Sequence, residues 1–417
     1  MRPRNTQIRQ NDSSNHVQGM PRRHKPDYIL LIIALILISF GLVLIYSIGP
    51  GLVTGTNLSQ NYYINRQMIS VALGACAFMA TAFLPFKFWI KSEKFLISIA
   101  IISALLVRVF GQRVNGAYRW IQVGGFSFQS SELLKFTLLI WLAGFLSLRV
   151  KDGTIKDFKK TLLPVGIVLI ALLLVVAGVQ SDLGSTTVMI FMIVAMVFVA
   201  GLPMKKIVLI GLVVAFLVFI AIITSSYRQQ RVATFLHPSS NCQTTGYQTC
   251  QAMIAVGSGG MIGLGLGQSV QAYGYLPEAA NDSIFAIFAE KFGFIGCSIF
   301  LLLFAALFTR LKHIIDRCPN NFTRLIVVGI LAWLSVQTFI NVGAMVGILP
   351  LKGITLPFIS YGGSSMIFVM AAIGLVFYIS RYTLHTVPTK EVGRNDYDNS
   401  RNGGRIRRTR YSSLGGR

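Results

Sequence analysis

Apolar residues in this chain gather into long uninterrupted runs, not the one-sided stripes of a soluble helix. Crossing roughly 30 Å of hydrocarbon takes about 20 predominantly apolar residues. Runs of that order lie near residues 28–49, 66–84, 94–110, 132–148, 161–178, 184–201, 205–223, 283–308, 322–346 and 364–382. The pattern predicts an all-α, polytopic membrane protein of about ten transmembrane helices. No internal repeat stands out, so an inverted-repeat transporter is not specified.

One connection is far longer than the rest, residues 224–283 between the seventh and eighth runs. Long connections of this kind are often functional. Ala252 to Ile262 and the glycine-rich GSGGMIGLGLG (Gly257 to Gly267) are too apolar for an open loop and suggest short helices or re-entrant backbone. Such backbone at membrane depth persists only where protein or a watery cavity satisfies it. The glycines have neither the preceding strand nor the spacing of a dinucleotide fingerprint, and close backbone packing accounts for them better.

Composition agrees with lipid as the main solvent: 53% of the 417 residues are hydrophobic and 12% charged. The net charge of +24 would suggest nucleic acid, but its distribution excludes that partner. Basic residues crowd the termini and the short loops, as the positive-inside rule requires of cytoplasmic segments. The amino-terminal tail carries Arg2, Arg4, Arg9, Arg22, Arg23 and Lys25, and the other tail Arg405, Arg407, Arg408 and Arg410. Both ends are therefore expected inside, and the number of spans even. Lys87, Lys91 and Lys94, then Arg149 to Lys160, Lys205 with Lys206, and Arg310 to Arg324 mark the other cytoplasmic loops. The tails, residues 1–27 and 383–417, read as disordered around a membrane domain over 28–382. No cleavable signal peptide is expected, the first helix serving as the targeting signal.

Arg113, Arg119, Arg228, Arg231 and Lys352 fall on the side this topology disfavours. They are either ordinary outer charges or anion ligands. Ionisable residues in apolar segments are functional candidates, because desolvating one costs at least ~2.5–3.5 kcal/mol. Glu132 and Lys135 stand at i and i+3, where they can pair on one helix face. Asp182 opens the sixth run and can cap its free amides. Glu290 and Lys291 lie two turns inside the eighth run, so at least one should face a cavity or a partner charge. Asp282 has two readings: a helix N-cap, or a carboxylate at the outer mouth sharing a face with Glu278 and Glu290. The five cysteines do not form a zinc pattern, although Cys242 and Cys250, on the outer loop, are near enough in sequence for a disulfide.

Several segments resemble, in order, the signature stretches of the SEDS family (shape, elongation, division and sporulation proteins). They are NGAYRWI (Asn115 to Ile121), QSSELLK (Gln129 to Lys135), QSDLGS (Gln180 to Ser185), Gly246 to Ser269, LPEAANDSIFAIFAEKFGFIG (Leu276 to Gly296), and Asn341 to Ser365. Lys352 in LPLKG and the closing LPFISYGGSS are nearer the division-type branch than the elongation-type. The resemblance implies a ten-helix fold in a bacterial cytoplasmic membrane, at the division septum. It implies peptidoglycan glycosyltransferase activity on lipid II, beside a class B penicillin-binding protein and other divisome membrane proteins. The family's essential carboxylate matches Asp282, and Glu278, Asp182, Lys135 and Arg119 match further motif positions. The chain departs from PEAHTDF at Ala280, Asn281 and Ser283, has Ala272 where a lysine is frequent, and has Ser130 and Ser181 where proline is usual. These changes leave the acid but weaken any mechanism that leans on a neighbouring His or Lys.

That chemistry needs a base for the acceptor hydroxyl and positive charge for a departing pyrophosphate. Asp282 is the expected base, and Arg119, Arg228, Arg231 and Lys352 the expected phosphate ligands. A divalent cation, Mg or Mn, could share that work, though no ligand cluster specifies one. Trp120 would stack on a sugar or anchor the membrane surface. The rival readings are a flippase for the lipid-linked precursor and a non-catalytic divisome scaffold.

Overall fold

The computed structural model describes residues 25–54, 57–114, 117–123, 126–237, 242–244 and 246–383. The expectation of disordered tails falls almost entirely on residues 1–24 and 384–417, outside those described. All the apolar runs are helical. The first half contains α1 (Tyr28–Val53), α2 (Tyr62–Phe83), α3 (Phe86–Phe110), α4 (Ser130–Lys151), α5 (Leu163–Leu172), α6 (Leu183–Val199) and α7 (Met204–Ile223). Turns of π-helix extend α5 on both sides, to Phe158–Val179. The long connection holds α8 (Ser226–Leu236) and α9 (Tyr247–Ser258), and the chain closes with α10 (Ile284–Asp316), α11 (Asn321–Met345) and α12 (Gly363–Ser380).

Among the described residues eight helices are long and apolar enough to cross a membrane, and α6 is apolar but shorter. The protein is an all-α, polytopic membrane protein. Helix α3 begins earlier than expected, so Lys87, Lys91 and Lys94 ride on its first turns instead of occupying a loop.

The hydropathy pattern did not foresee a small antiparallel sheet. Strands β1 (Gln112–Val114), β2 (Ala117–Val123) and β3 (Phe126–Gln129) run between α3 and α4 in the order β1-β2-β3. Trp120 pairs with Gln129 across β2 and β3. Asn-Gly and Gly-Gly pairs separate the strands in sequence, the residues that two-residue hairpins favour.

Caps and small residues set the bundle. Asp27, Asp182 and Asn320 accept the first free amides of α1, α6 and α11, the ordinary role of a short polar side chain at a helix start. Arg310 Nε bonds Asp27 Oδ2 at 2.6 Å while Asp27 N donates to Ser380 Oγ, tying α1, α10 and α12 together. Gly74 faces Met370, and Gly374 faces Phe78 and Thr81, so α2 and α12 approach as closely as backbones allow. Helix α7 stands apart: only Ile207 and Val214 of its side chains are buried.

The glycine-rich stretch is re-entrant backbone knitted into a broken helix. Helix α10 kinks at Gly293, where φ is 63°, and the kink frees backbone groups on either side. Leu264 N donates to Glu290 O at 2.9 Å and Gly265 N to Lys291 O at 3.0 Å. In return Phe294 N donates to Gly260 O at 2.9 Å and Ile295 N to Met261 O at 3.0 Å. Backbone polar groups that lipid cannot satisfy thus satisfy one another. The side chains of Glu290 and Lys291 serve the same segment. Glu290 accepts from Ser269 Oγ, Val270 N and Gln271 N, and Lys291 Nζ donates to Leu266 O.

A β-carbon at Gly293 would collide with the backbone of Ile262 and Gly263, whereas one at Gly257 meets nothing within 4 Å. Gly293→Val should therefore destabilise the protein by about 2–5 kcal/mol through strain and overpacking. Gly257→Ala should leave the melting temperature of the purified protein nearly unchanged.

Candidate active site

The residues LPEAAND form a tight turn before α10. Glu278 adopts φ 53°, a left-handed conformation costing a non-glycine residue about 1–2 kcal/mol. Its carbonyl accepts from Asn281 N at 2.9 Å and Ser283 N at 3.2 Å, and its carboxylate from the Asn281 side chain. Two neighbouring elements hold the turn in place. From α11, Asn341 Nδ2 donates to both Asp282 O and Ile354 O, each at 2.7 Å. From the segment before α12, Tyr361 N donates to Ala280 O at 2.8 Å and Ser360 Oγ to Asn281 O at 2.5 Å.

Helix α10 starts at Ile284 with Ser283 as its N-cap, and the capping reading of Asp282 fails. Because Glu278 lies in the turn, it does not share a helical face with Asp282 and Glu290, contrary to expectation. Asp282 Oδ1 instead accepts from Gln248 Nε2 at 3.3 Å and Ser283 Oγ at 3.5 Å, both long contacts. Burial pushes the Asp282 carboxyl up to about 7, the Glu278 charge adding to the rise and Arg231 opposing it.

Asp282 lines a cavity of about 340 Å³ that opens beside the sheet. Strand β2 brings Arg119 and Trp120 to it, α2 brings Arg66, and α8 brings Arg231. The acids are Glu132, Glu278 and Asp282, and Gln129, Gln248 and Tyr361 complete the polar wall. Arg119 Nη2 donates to Ser181 O at 2.6 Å, and Arg231 Nη1 to Leu351 O at 2.7 Å. Arg119 Nε also lies 3.4 Å from Gln180 O, so carbonyls brace both guanidinium groups. A site of this composition can bind an anionic, hydroxyl-rich molecule and remove a proton from it.

The match to known proteins covers nearly all of the described chain. Residues 27–385 fit the FtsW, RodA and SpoVE family, described as cell cycle protein. The chain belongs to that family. It is 36% identical over 366 residues to stage V sporulation protein E of Bacillus subtilis strain 168, covering 87% of this chain and 99% of that one. It is also 36% identical to "Probable peptidoglycan glycosyltransferase FtsW" of Hydrogenovibrio crunogenus, covering 87% of this chain and 93% of the relative. Among solved structures, a chain from a peptidoglycan synthase complex that coordinates polymerization and crosslinking aligns with a TM-score of 0.71 at 26% identity, over 85% of this chain and 98% of that chain. RodA of Thermus thermophilus aligns at 0.62 and 25%, over 86% and 98%.

Not every residue that matches an FtsW, RodA and SpoVE motif reaches the cavity. Lys135 is buried and bonds Glu132 Oε1 and Gln337 Oε1, both at 2.9 Å. The cavity-lining member of that pair is the acid, whose Oε2 has no partner. Asp182 spends its oxygens on Ser185 N, Gln129 Nε2 and Ser131 Oγ, behind the cavity wall. Arg228 bonds Ala221 O at 2.8 Å and Ala177 O at 2.6 Å, stapling the end of α7 to the end of the α5 segment. Lys352 turns to the other side of its loop, toward Thr187. Cys242 and Cys250 are joined by a disulfide that ties the start of α9 to the preceding turn.

Arg66 and Gln248 were not among the expected site residues, and Glu132 was expected only as the partner of Lys135. Arg66 had a usable signal, an arginine at the outer end of a span, the same argument that selected Arg119. Gln248 had none, because a neutral amide on a loop helix resembles any other. Among the described residues no three His, Cys, Asp or Glu side chains are grouped to hold a metal ion.

The two charges flanking Asp282 make its titration testable. Glu278→Gln removes a negative neighbour and should lower the Asp282 pKa from about 7, while Arg231→Gln should raise it. Infrared titration of the carboxyl stretch, with Asp282→Asn as the subtracting control, reads both shifts.

Proposed function

We propose that this protein is a peptidoglycan glycosyltransferase of the division type, polymerising lipid II into glycan strands on the outer face of a bacterial cytoplasmic membrane. Ten spans, from α1–α7 and α10–α12, put both tails in the cytoplasm and the cavity outside. The named relatives and the synthase-complex likeness support the activity, and also a class B penicillin-binding protein as partner. Septal placement among other divisome proteins follows from the division-type reading.

The proposal rests on a buried carboxylate that lines the cavity beside arginines, its pKa pushed up to about 7 by burial. Asp282 takes the proton from the 4-hydroxyl of the acceptor sugar as its oxygen attacks the anomeric carbon of the donor. The new O–C1 bond forms while the C1–O bond to the pyrophosphate breaks, and the pyrophosphate leaves with the electron pair. Attack opposite the leaving group inverts the anomeric centre, as in inverting glycosidases. Arg66, Arg119 and Arg231 face the accumulating negative charge, preorganised by the carbonyls and walls that hold them. Water takes the proton from Asp282 between turnovers.

Purified protein supplied with lipid II and the partner transpeptidase should make glycan strands. Asp282→Asn should slow this by about 10²–10⁴ with an unchanged melting temperature. Undiminished polymer from that variant would remove the base from the mechanism. Movement of lipid II between leaflets without polymer would favour a flippase.

Activity should also follow protonation of the base. Because only ionised Asp282 accepts a proton, the rate should climb with pH and level off above about 7. Glu278→Gln should move that limb to lower pH and Arg231→Gln to higher pH.

A further inference from the structure

A second cavity lies away from the first, between α6 and α11. It encloses about 520 Å³ and is lined by Thr187 and Phe191 of α6, Val336, Phe339 and Ile340 of α11, and Lys352 above them. Its walls are apolar except at the rim. Thr187 sits one turn above Phe191, so the groove descends from the polar end of α6 toward the middle of the bilayer. Helix α7, the next in sequence, turns most of its side chains outward and does not line it.

Lys352 is the anomaly of this groove. Its amine has Thr187 Oγ1 at 3.4 Å, and the ion pairs among the described residues involve other cations. Burial lowers its affinity for a proton, with no carboxylate to offset that. A desolvated cation at the rim of a lipid-facing apolar groove suits an anionic headgroup on a hydrocarbon chain. The groove also adjoins the chemistry. Gly353 follows Lys352 in the chain and lines the Asp282 cavity, and a β-carbon on it would lie 3.5 Å from Asp282 Oδ2. Consecutive residues of one loop therefore line the two cavities.

We propose that the α6–α11 groove is the berth of the polyprenyl carrier, with its phosphate on Lys352 and Thr187 and its first isoprenoid units between Phe191 and Phe339. The inference rests on the reading that the protein polymerises a polyprenyl-linked precursor. Adjacency to Asp282 favours the carrier over bulk phospholipid, which has no reason to settle one residue from the reacting atoms. When the C1–O bond breaks, the oxygen stays with phosphorus and the diphosphate gains charge. Lys352 is the cation placed at the rim of the groove to meet the carrier's end of that diphosphate.

The test measures carrier binding without turnover, using undecaprenyl pyrophosphate as the probe and native mass spectrometry of the full chain in nanodiscs. Asp282→Asn should bind the probe as the unaltered protein does. Lys352→Met should weaken binding about tenfold or more, the loss of one charge-assisted contact, and Lys352→Arg should restore most of it. Val336→Trp should weaken binding with the lysine intact, because it fills the groove. Melting temperatures matched to the unaltered protein exclude unfolding. Unchanged binding in Lys352→Met or in Val336→Trp overturns the proposal, as does displacement by phosphatidylglycerol at equal concentration. Lysine-dependent binding in a protein that makes no polymer would sink the enzymatic reading and leave the groove standing. Lysine-independent binding in an active enzyme would sink the groove alone.

Discussion

One amide group, Asn341 Nδ2, reaches from α11 to Asp282 O and to Ile354 O. It joins the turn that presents the carboxylate to the loop that forms the opposite wall. Both acceptors are buried backbone carbonyls, for which leaving either unmade costs about 1–3 kcal/mol. The Asp282 carboxylate can therefore line the cavity with its own backbone fixed by a neighbour. Ser360 and Tyr361 add two more anchors to the same turn. The strained Glu278 conformation persists because these bonds over-determine it.

Lipid sets the second constraint, and it explains why most of the fold was legible. A helix facing hydrocarbon must be apolar all along its length, so spans announce themselves as runs, and every run became a helix. The sheet escaped the same reading because its strands are short and mix polar with apolar residues. Its turn residues were present in the sequence, yet a pattern tuned to twenty-residue runs passes over strands as brief as Phe126–Gln129. Helix α3 was misjudged at its start for a related reason: Lys87 and Lys91 can remain helical while their charged ends reach for water.

The site was legible in its chemistry and less so in its directions. Asp282, Glu278, Arg119 and Arg231 all line the cavity. Lys135, Asp182, Arg228 and Lys352 do not, although each is polar and near it in sequence. Spacing along a helix says which residues share a face but not which of them meets solvent. Glu132 and Lys135 illustrate this: the pair forms as expected, but Gln337 and Trp333 take the lysine inward and leave the acid at the surface of the cavity. Lys352 and Gly353 show the same limit in a loop, where Gly353 turns the chain at φ 63° and the two neighbours line different cavities.

The knit between the glycine-rich segment and the break in α10 imposes an order on biogenesis. Gly260 to Gly265 leave the ribosome before the residues around Gly293 that will pair with them. Until α10 is threaded into the bilayer, those amides and carbonyls have only water or the insertion machinery for company. The segment can therefore settle into lipid only together with α10, so that insertion of this span and completion of the outer loop form one cooperative event.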